Sequence, residues 1–161
     1  MLTAVHLLAY SYVFGATSFH SFVSSVRAFK VLPRKEFGLL QSKLFPIHFL
    51  TQSIGPVVVG LSAPYTIPTV GIALLAASSL SGLTNYLWLM PVCNRLKTER
   101  FALEELPESE RTPETNEKIA ALTKKFGKYH GISLVFNSLS VLTLAAYSYV
   151  FSTQFLVRAL K

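Results

Sequence analysis

The amino-acid sequence predicts an all-α integral membrane protein, a four-helix bundle with amphipathic cytosolic segments. Of its 161 residues, 51% are hydrophobic and only 14% are charged, whereas a soluble domain usually carries about 25% charged residues. The charges crowd into two polar segments, and the four long apolar runs between and around them contain no Lys, Arg, Asp or Glu. We therefore expect residues 1–161 to form a single membrane domain whose helices face lipid.

Each apolar run is long enough to cross a membrane. A helix rises about 1.5 Å per residue, so about 20 apolar residues cross a hydrocarbon core about 30 Å thick. We expect the first run to be retained rather than cleaved as a signal peptide, because Arg27 and Lys30 follow it instead of preceding it. The predicted spans are residues 2–26, 44–63, 69–90 and 131–156, and the predicted polar cytosolic segments are residues 27–43 and 91–130.

Local signals refine this outline. Pro46 suits the first turn of the second span, and Pro56 is expected to kink it. The short turn at residues 64–68 makes the second and third spans an antiparallel hairpin. Thr112 is predicted to cap an amphipathic helix that lies on the membrane or packs against the bundle. Apolar residues recur on one face of that helix at Ile119, Leu122, Phe126 and Tyr129.

The placement of the basic residues predicts the orientation of the chain. Residues 27–43 hold 5 of the 15 Lys and Arg residues and residues 91–130 hold 8, whereas residues 64–68 hold none. Cytosolic segments are enriched in Lys and Arg, so both polar segments are expected in the cytosol and both termini on the other side. Because the positive charges flank apolar runs, the net charge of +7 does not indicate a nucleic-acid partner.

Polar and small residues follow one face of each span and therefore mark the bundle interior, since unpaired polar groups cost free energy in lipid. Packing by interhelical hydrogen bonds is the expected role, and a polar path or ligand cavity is the alternative. The faces contain His6, Tyr10, Thr17 and His20, then His48 and Gln52, then Ser78, Gly82 and Asn85, and finally His130, Ser133, Asn137 and Ser140. A small-residue stripe suited to close helix contact contains Ser11, Gly15, Ser18 and Ser25.

Metal and catalytic signals are weak. Met90, Cys93 and His130 carry soft-metal ligands near one end of the predicted bundle, but an interfacial cap with an ordinary thiol is the favoured interpretation. Cys93 is the only cysteine, so no intrachain disulfide can form. Catalytic, nucleotide-binding and zinc-protease motifs are missing from the sequence, so we expect a non-enzymatic protein with no cofactor and no metal.

Three blocks of sequence resemble the transmembrane protein 205 family. The blocks are the run from Leu32 to Pro46, the run from Asn85 to Pro91, and Phe126 to Ser133 with Asn137 beyond it. The resemblance covers almost the whole chain and implies a small multi-span protein of intracellular or surface membranes. Its family members are implicated in tolerance of platinum compounds, by export. The present chain departs from them in a shorter polar segment at residues 91–130.

All three blocks fall at the predicted cytosolic side and define a candidate site. Arg34 and Lys43, with Lys35 and Lys128, would bind anionic lipid headgroups, and the four polar residues Gln41, Asn85, His130 and Asn137 would hydrogen-bond one another. A structural clasp that locks the first polar segment against the third and fourth spans is the alternative. The candidate site residues are Arg34, Gln41, Lys43, Asn85, Tyr129, His130 and Asn137.

The functional expectation is a multi-pass membrane protein that serves transport or tolerance of small solutes or metal-containing drugs. The alternative is a membrane-organising or adaptor protein that binds partners or lipids through its cytosolic segments, and a lipid-modifying enzyme would need a deep pocket at His130 or His48. The expected partners are the lipid bilayer, anionic headgroups and a second copy of the chain in a homo-oligomer. The endoplasmic reticulum is the favoured location and a mitochondrial membrane is the alternative. Both stay open, because neither a cleavable targeting signal nor a C-terminal retention motif is visible.

Overall fold

The four apolar runs form four long helices in the computed structural model, which describes residues 2–159. Lys161, in the basic C-terminal tail, lies outside the described residues. A short 3₁₀ turn at Glu108–Glu110 precedes the last helix. The predicted all-α four-helix bundle is confirmed. The helices are α1 (Leu2–Val31), α2 (Arg34–Leu61), α3 (Thr69–Glu104) and α4 (Pro113–Ala159).

All four helices are long and apolar enough to cross a membrane, and this indicates a membrane protein. Large apolar side chains face outward along the bundle, for example Leu8 at 71% and Leu61 at 83% exposure. Such a continuous apolar surface is unfavourable in water and suits a lipid environment. Which side of the membrane each end faces, and where each span meets the headgroups, stay predictions.

The helices continue well past the predicted spans. The first polar segment is almost entirely helical, and only Leu32 and Pro33 interrupt it between α1 and α2. The placement of Pro46 in a first turn was therefore wrong, because α2 already begins at Arg34, and Pro46 and Pro56 both lie inside it. Helix propagation into the polar segment explains the difference, since adding a residue to an existing helix is favourable.

The amphipathic helix of the second polar segment is the beginning of α4 rather than a separate element. Thr112 caps it as predicted, because its Oγ1 accepts a hydrogen bond from the backbone N–H of Thr115 at 3.2 Å. Leu122 is buried, and this part of α4 packs against the last turns of α3. The alternative that this helix lies flat on the membrane is therefore wrong, since it runs without a break into the fourth span.

The polar faces predicted for the spans do point into the bundle. The side chains of His6, Thr17, Gln52, Ser78 and Asn85 are each 0% exposed. Helices α2 and α3 pack extensively on each other, as do α3 and α4, whereas α1 contacts α2 and, to a lesser extent, α4. The hydrogen-bonding side chains of one helix therefore meet those of its neighbours inside the bundle.

Two glycines show where close helix contact does and does not occur. A Cβ on Gly82 would lie 2.6 Å from the backbone carbon of Gln52, so α2 and α3 touch there and need the missing side chain. Gly15 has nothing within 4 Å of its hypothetical Cβ, and Ser11 on the same stripe is exposed. The predicted close contact was therefore wrong at Ser11 and Gly15, which face outward from the bundle.

The two ends of the bundle differ. The closed end contains the α2–α3 turn, and its core includes Tyr10, Val59, Leu144 and Tyr147, all at most 8% exposed. Here the hydroxyls of Tyr65 and Tyr147 lie 3.0 Å apart. At the other end, which carries both polar segments, the four helices diverge around an internal cavity. We call this the cavity end.

Candidate functional site

A cavity of about 590 Å³ lies between all four helices at the cavity end. It is bounded by the last turns of α1, the first half of α2, the end of α3 and the middle of α4. Apolar rings form much of its wall, and sites for small organic ligands are typically apolar cavities of about 300–1,000 Å³ with a few polar groups. The rings belong to Phe29, Phe37, Phe45, Phe49, Phe101 and Phe126.

The deepest part of the cavity is a polar network centred on Asn137. The Oδ1 of Asn137 accepts hydrogen bonds from His48 Nε2 and from Gln52 Nε2, both at 2.9 Å. Its Nδ2 donates to Ser21 Oγ at 3.0 Å. Since a carboxamide oxygen only accepts, the proton of His48 is on Nε2. The network therefore joins α1, α2 and α4 and fixes the floor of the cavity.

A second polar group lies beside this floor. His20 and His48 stand with their ring centroids 4.4 Å apart, and His20 Nε2 is 3.2 Å from Ser25 Oγ. Gln41 Nε2 donates to the same Ser25 Oγ at 3.2 Å, but Gln41 Oε1 is buried without a partner. This group therefore keeps an unused hydrogen-bond acceptor, Gln41 Oε1, on a side chain that lines the cavity.

Both of these groups include a residue from a local widening of α1. A π-helical turn occupies His20–Ser24 in α1, and another occupies Asn85–Leu89 in α3. Such turns insert one extra residue per turn, rotate the following side chains, and occur often at functional sites. In α1 the turn carries His20 and Ser21, both of which line the cavity.

Three cationic side chains line the cavity towards the end of the bundle. Arg100 is only 3% exposed, and its guanidinium carbon lies 5.0 Å from the ring centroid of Phe101 and 5.5 Å from that of Phe126. Lys97 Nζ donates to the carbonyl of Gly38 at 2.9 Å. Arg34, at the start of α2, is the third cation. Acidic side chains are missing among the described residues that line the cavity.

The structure brings four of the seven candidate site residues together around this cavity, namely Arg34, Gln41, His130 and Asn137. The other three lie outside it. Asn85 is fully buried and donates from Nδ2 to the carbonyl of Ser133 at 3.2 Å. Lys43 is exposed, and Tyr129 packs edge-on against Trp88 with ring centroids 6.4 Å apart.

The expected hydrogen bonds among Gln41, Asn85, His130 and Asn137 do not form. Gln41 bonds to Ser25, Asn85 bonds to a backbone carbonyl, and Asn137 bonds to residues of α1 and α2. These residues share the end of the bundle but lie at different depths and angles around it. Contacts of the kind expected for a structural clasp also occur, because Lys35 pairs with Glu105 and Lys97 binds the Gly38 carbonyl.

Sequence reasoning missed the most informative residues of the cavity, Lys97 and Arg100. A signal was present, because Cys93, Lys97 and Arg100 are spaced at i, i+4 and i+7 and share one helical face. The cavity role of the phenylalanines was also missed, since four of the six fall in the predicted polar segments 27–43 and 91–130. Met90, Cys93 and His130 all line the cavity, but within the described part of the chain no three His, Cys, Asp or Glu side chains form a metal-binding group.

Comparison of the sequence with known proteins identifies a family for this chain. Residues 8–102 match the family described as a domain of unknown function, DUF4149, and this region covers more than half of the chain. The chain belongs to the DUF4149 family. The matched region includes most of α1, all of α2 and most of α3, with Lys97 and Arg100.

The DUF4149 protein is also similar to a protein of Aspergillus fumigatus named Xanthocillin biosynthesis cluster protein D. The two are 28% identical over 162 residues, which cover 96% of this chain and 92% of the relative. No solved structure matches the chain.

Proposed function

We propose that this DUF4149 protein is a non-enzymatic multi-pass membrane protein that binds an amphipathic small molecule in its cavity and serves the transport of, or tolerance to, that molecule. The observation that carries the proposal is the cavity of about 590 Å³ between four apolar helices. A protein that only organises membranes or anchors partners does not need such a cavity, whereas a small-molecule site does.

The lining of the cavity supports a ligand with both apolar and polar parts. Phenylalanine rings supply apolar contact area, and Gln41, His130 and the Asn137 network supply hydrogen-bonding groups. A closed, dry bundle would favour the adaptor hypothesis, in which partners bind the surfaces of the polar segments. The open cavity instead favours binding within the bundle, and we therefore rank the adaptor role second.

Two further resemblances agree with a role in handling small molecules. The blocks that resemble the transmembrane protein 205 family include Gln41, His130 and Asn137, which line the cavity, and that family is implicated in drug tolerance. The Aspergillus fumigatus relative carries the name of a biosynthesis cluster. We propose the endoplasmic reticulum membrane as the location, with a mitochondrial membrane as the alternative.

A lipid-modifying enzyme was expected to need a deep pocket at His130 or His48, and both residues line the cavity. The Ser25–His20 contact at 3.2 Å is also of the kind used to activate a nucleophile. However, such a pair needs a third group that orients the histidine, and among the described residues His20 has no hydrogen-bond partner besides Ser25. We therefore keep the non-enzymatic proposal.

Cys93 provides a direct test of ligand binding, because it is the only cysteine and lines the cavity. The protein is placed in phosphatidylcholine nanodiscs, and the rate of Cys93 modification by N-ethylmaleimide is measured by mass spectrometry. Amphipathic compounds with a ten-carbon chain should slow the reaction by occupying the cavity. The control is the Cys93→Ser/Ser109→Cys double variant, whose thiol lies in an exposed turn and should react at an unchanged rate.

A pair of phenylalanine variants tests whether the protection of Cys93 arises from binding inside the cavity. Phe101→Ala removes a ring from the cavity wall and should weaken the protection, whereas Phe22→Ala removes a ring that is 56% exposed on the outer surface and should not. If no amphipathic compound slows Cys93 modification in the unchanged protein, the proposed small-molecule binding is wrong and the adaptor role takes its place.

The cellular role is tested by growth. Cells that lack the protein are compared with cells that carry it on a panel of metals and drugs, and a tagged copy is localised in parallel. Sensitivity to at least one compound, reversed by the unchanged protein, is the expected result. An unchanged panel would contradict the transport and tolerance role.

A further inference from the structure

We propose that the cavity ligand carries an anionic group, a phosphate or a carboxylate, and that Arg100 binds this group together with Lys97 and Arg34. The inference rests on the proposed binding of a small molecule in the cavity and names the chemical class of that molecule. It is carried by the position and the incomplete pairing of Arg100.

Arg100 is a buried cation whose hydrogen-bonding groups the described residues satisfy only in part. Its side chain is 3% exposed, and Nε and Nη1 have no hydrogen-bond partner among the described residues. Glu104 Oε1 approaches Nε to 3.3 Å, but without the alignment of a hydrogen bond. The ion pair with Glu104 offsets only part of the cost of burying this charge. Because Arg100 lines the cavity, an anion that enters there with a small movement of the guanidinium would complete the pairing.

The neighbouring cations Lys97 and Arg34 have no carboxylate partner among the described residues. Lys97 donates to two neutral acceptors, the Gly38 carbonyl and Asn94 Oδ1, at 2.9 and 3.2 Å. The ion pairs found in the described chain involve Lys35, Arg95 and Arg100, and neither Lys97 nor Arg34 takes part in one. Three positive side chains therefore face one cavity whose described lining contains no carboxylate.

The same geometry excludes the other ligand charges. A cationic ligand would be repelled by the three positive side chains, and a neutral ligand would leave Glu104 as the only described carboxylate near the Arg100 guanidinium. A planar guanidinium with free N–H groups matches the oxygens of phosphate or carboxylate. Since the rings of Phe101 and Phe126 lie against this guanidinium, an anionic head at Arg100 places an attached apolar chain against the aromatic wall.

The test uses three compounds with the same ten-carbon chain and different charge: decanol, decylamine and decyl phosphate. Each is titrated against the rate of Cys93 modification in nanodiscs of phosphatidylcholine. Decyl phosphate should protect Cys93 at a concentration about tenfold lower than decanol, since a charge-assisted hydrogen bond is worth about a factor of ten or more in affinity. Decylamine should protect no better than decanol.

Matched arginine variants assign the charge preference to one residue. Arg100→Met should remove the advantage of decyl phosphate over decanol, whereas Arg95→Met, on the same helix at a side chain 71% exposed, should leave it unchanged. Arg100→Lys should retain part of the advantage because it keeps the charge. Should Arg100→Met fail to fold, Lys97→Met provides the second measurement and should reduce the advantage.

Two further arms separate the sources of the anion. Inorganic phosphate alone should protect Cys93 if a free anion is the natural ligand, and nanodiscs that contain phosphatidylglycerol should protect it without added compound if a membrane lipid is. Either result supports the anion site. Equal protection by all three ten-carbon compounds would overturn the anion site and leave cavity binding intact, whereas no protection by any of them would overturn the proposed function itself.

Discussion

At the closed end the hydroxyls of Tyr65 and Tyr147 are 3.0 Å apart, and His6 Nδ1 is 3.0 Å from the Val59 carbonyl. At the cavity end Gln41 Oε1 and Arg100 Nη1 are buried and lack a partner. The two ends use their polar groups differently. These polar groups of the closed end bind helices to one another, whereas the cavity end leaves some of its buried polar atoms unpaired. The side chains of Gln41 and Arg100 line the cavity, and their incomplete pairing agrees with the proposed ligand site.

Truncating the closed core should have the largest effect on stability. Leu144 is 0% exposed and packs with Tyr10 and Tyr147, so Leu144→Ala should lower the free energy of unfolding by about 2–4 kcal/mol through the cavity it leaves. Leu142→Ala, on the same helix at 65% exposure, should cost much less. Unfolding by SDS titration measures both, and equal losses would show that the closed end is not a packed core.

Adding a side chain at the close α2–α3 contact should have the next largest effect on stability. Gly82→Ala places a methyl group 2.6 Å from the Gln52 backbone and should cost about 1–3 kcal/mol through overpacking. Gly15→Ala, which has open space around it, should be neutral or slightly stabilising because alanine favours helix. If Gly82→Ala were as stable as the unchanged protein in a thermal melt, the two helices would not approach as closely as described.

Removing the charge of Arg100 distinguishes a ligand-binding site from a structural clasp between the polar segments. Arg100→Met replaces a buried, poorly paired cation and should leave stability unchanged or raise it by about 1–2 kcal/mol in the absence of ligand. The one-third exposed Glu104 side chain can be hydrated after the change. Arg95→Met should stay within about 0.5 kcal/mol. A marked loss of stability specific to Arg100→Met would instead identify Arg100 as part of a structural clasp.

Single hydrogen bonds should give the smallest effects. Tyr147→Phe removes the partner of the Tyr65 hydroxyl and should cost about 0.6–2 kcal/mol, the usual contribution of a hydrogen bond between membrane helices. Gln41→Leu loses one bond to Ser25 but also removes an unpaired buried oxygen, so it should change stability by less than about 0.5 kcal/mol. If Gln41→Leu lost more stability than Tyr147→Phe, hydrogen bonding would stabilise the cavity end more than the closed end, contrary to the roles assigned to the two ends.

Local pattern predicted most of the fold, because lipid imposes strong constraints on each segment separately. Uncharged runs of sufficient length must become helices when no water can satisfy the backbone. Unpaired polar side chains are also costly in lipid, and this cost predicted that the polar faces are buried. The pattern failed at Pro46, which lies within α2, and at the junction of the amphipathic helix with the fourth span, because α4 continues without interruption from Pro113. Helix ends depend on propagation through polar sequence and on packing, and hydropathy measures neither.

The candidate site was predicted in part. Topology alone brought Arg34, Gln41, His130 and Asn137 to one end of the bundle, and they line one cavity there. Their pairing was not predictable, since a hydrogen bond depends on distances of a few tenths of an ångström and on the rotation of each helix about its axis. The two π-helical turns change that rotation after His20 and after Asn85.

By itself, the sequence determined that this chain forms four apolar helices and that its positive charges gather in two segments, because composition and spacing act locally along the chain. Only the tertiary structure decided that Arg100 is buried beside a cavity while the equally basic Arg95, five residues earlier, is exposed. The reason is that burial of a charge depends on which neighbouring helices surround it, and those neighbours come from distant parts of the sequence.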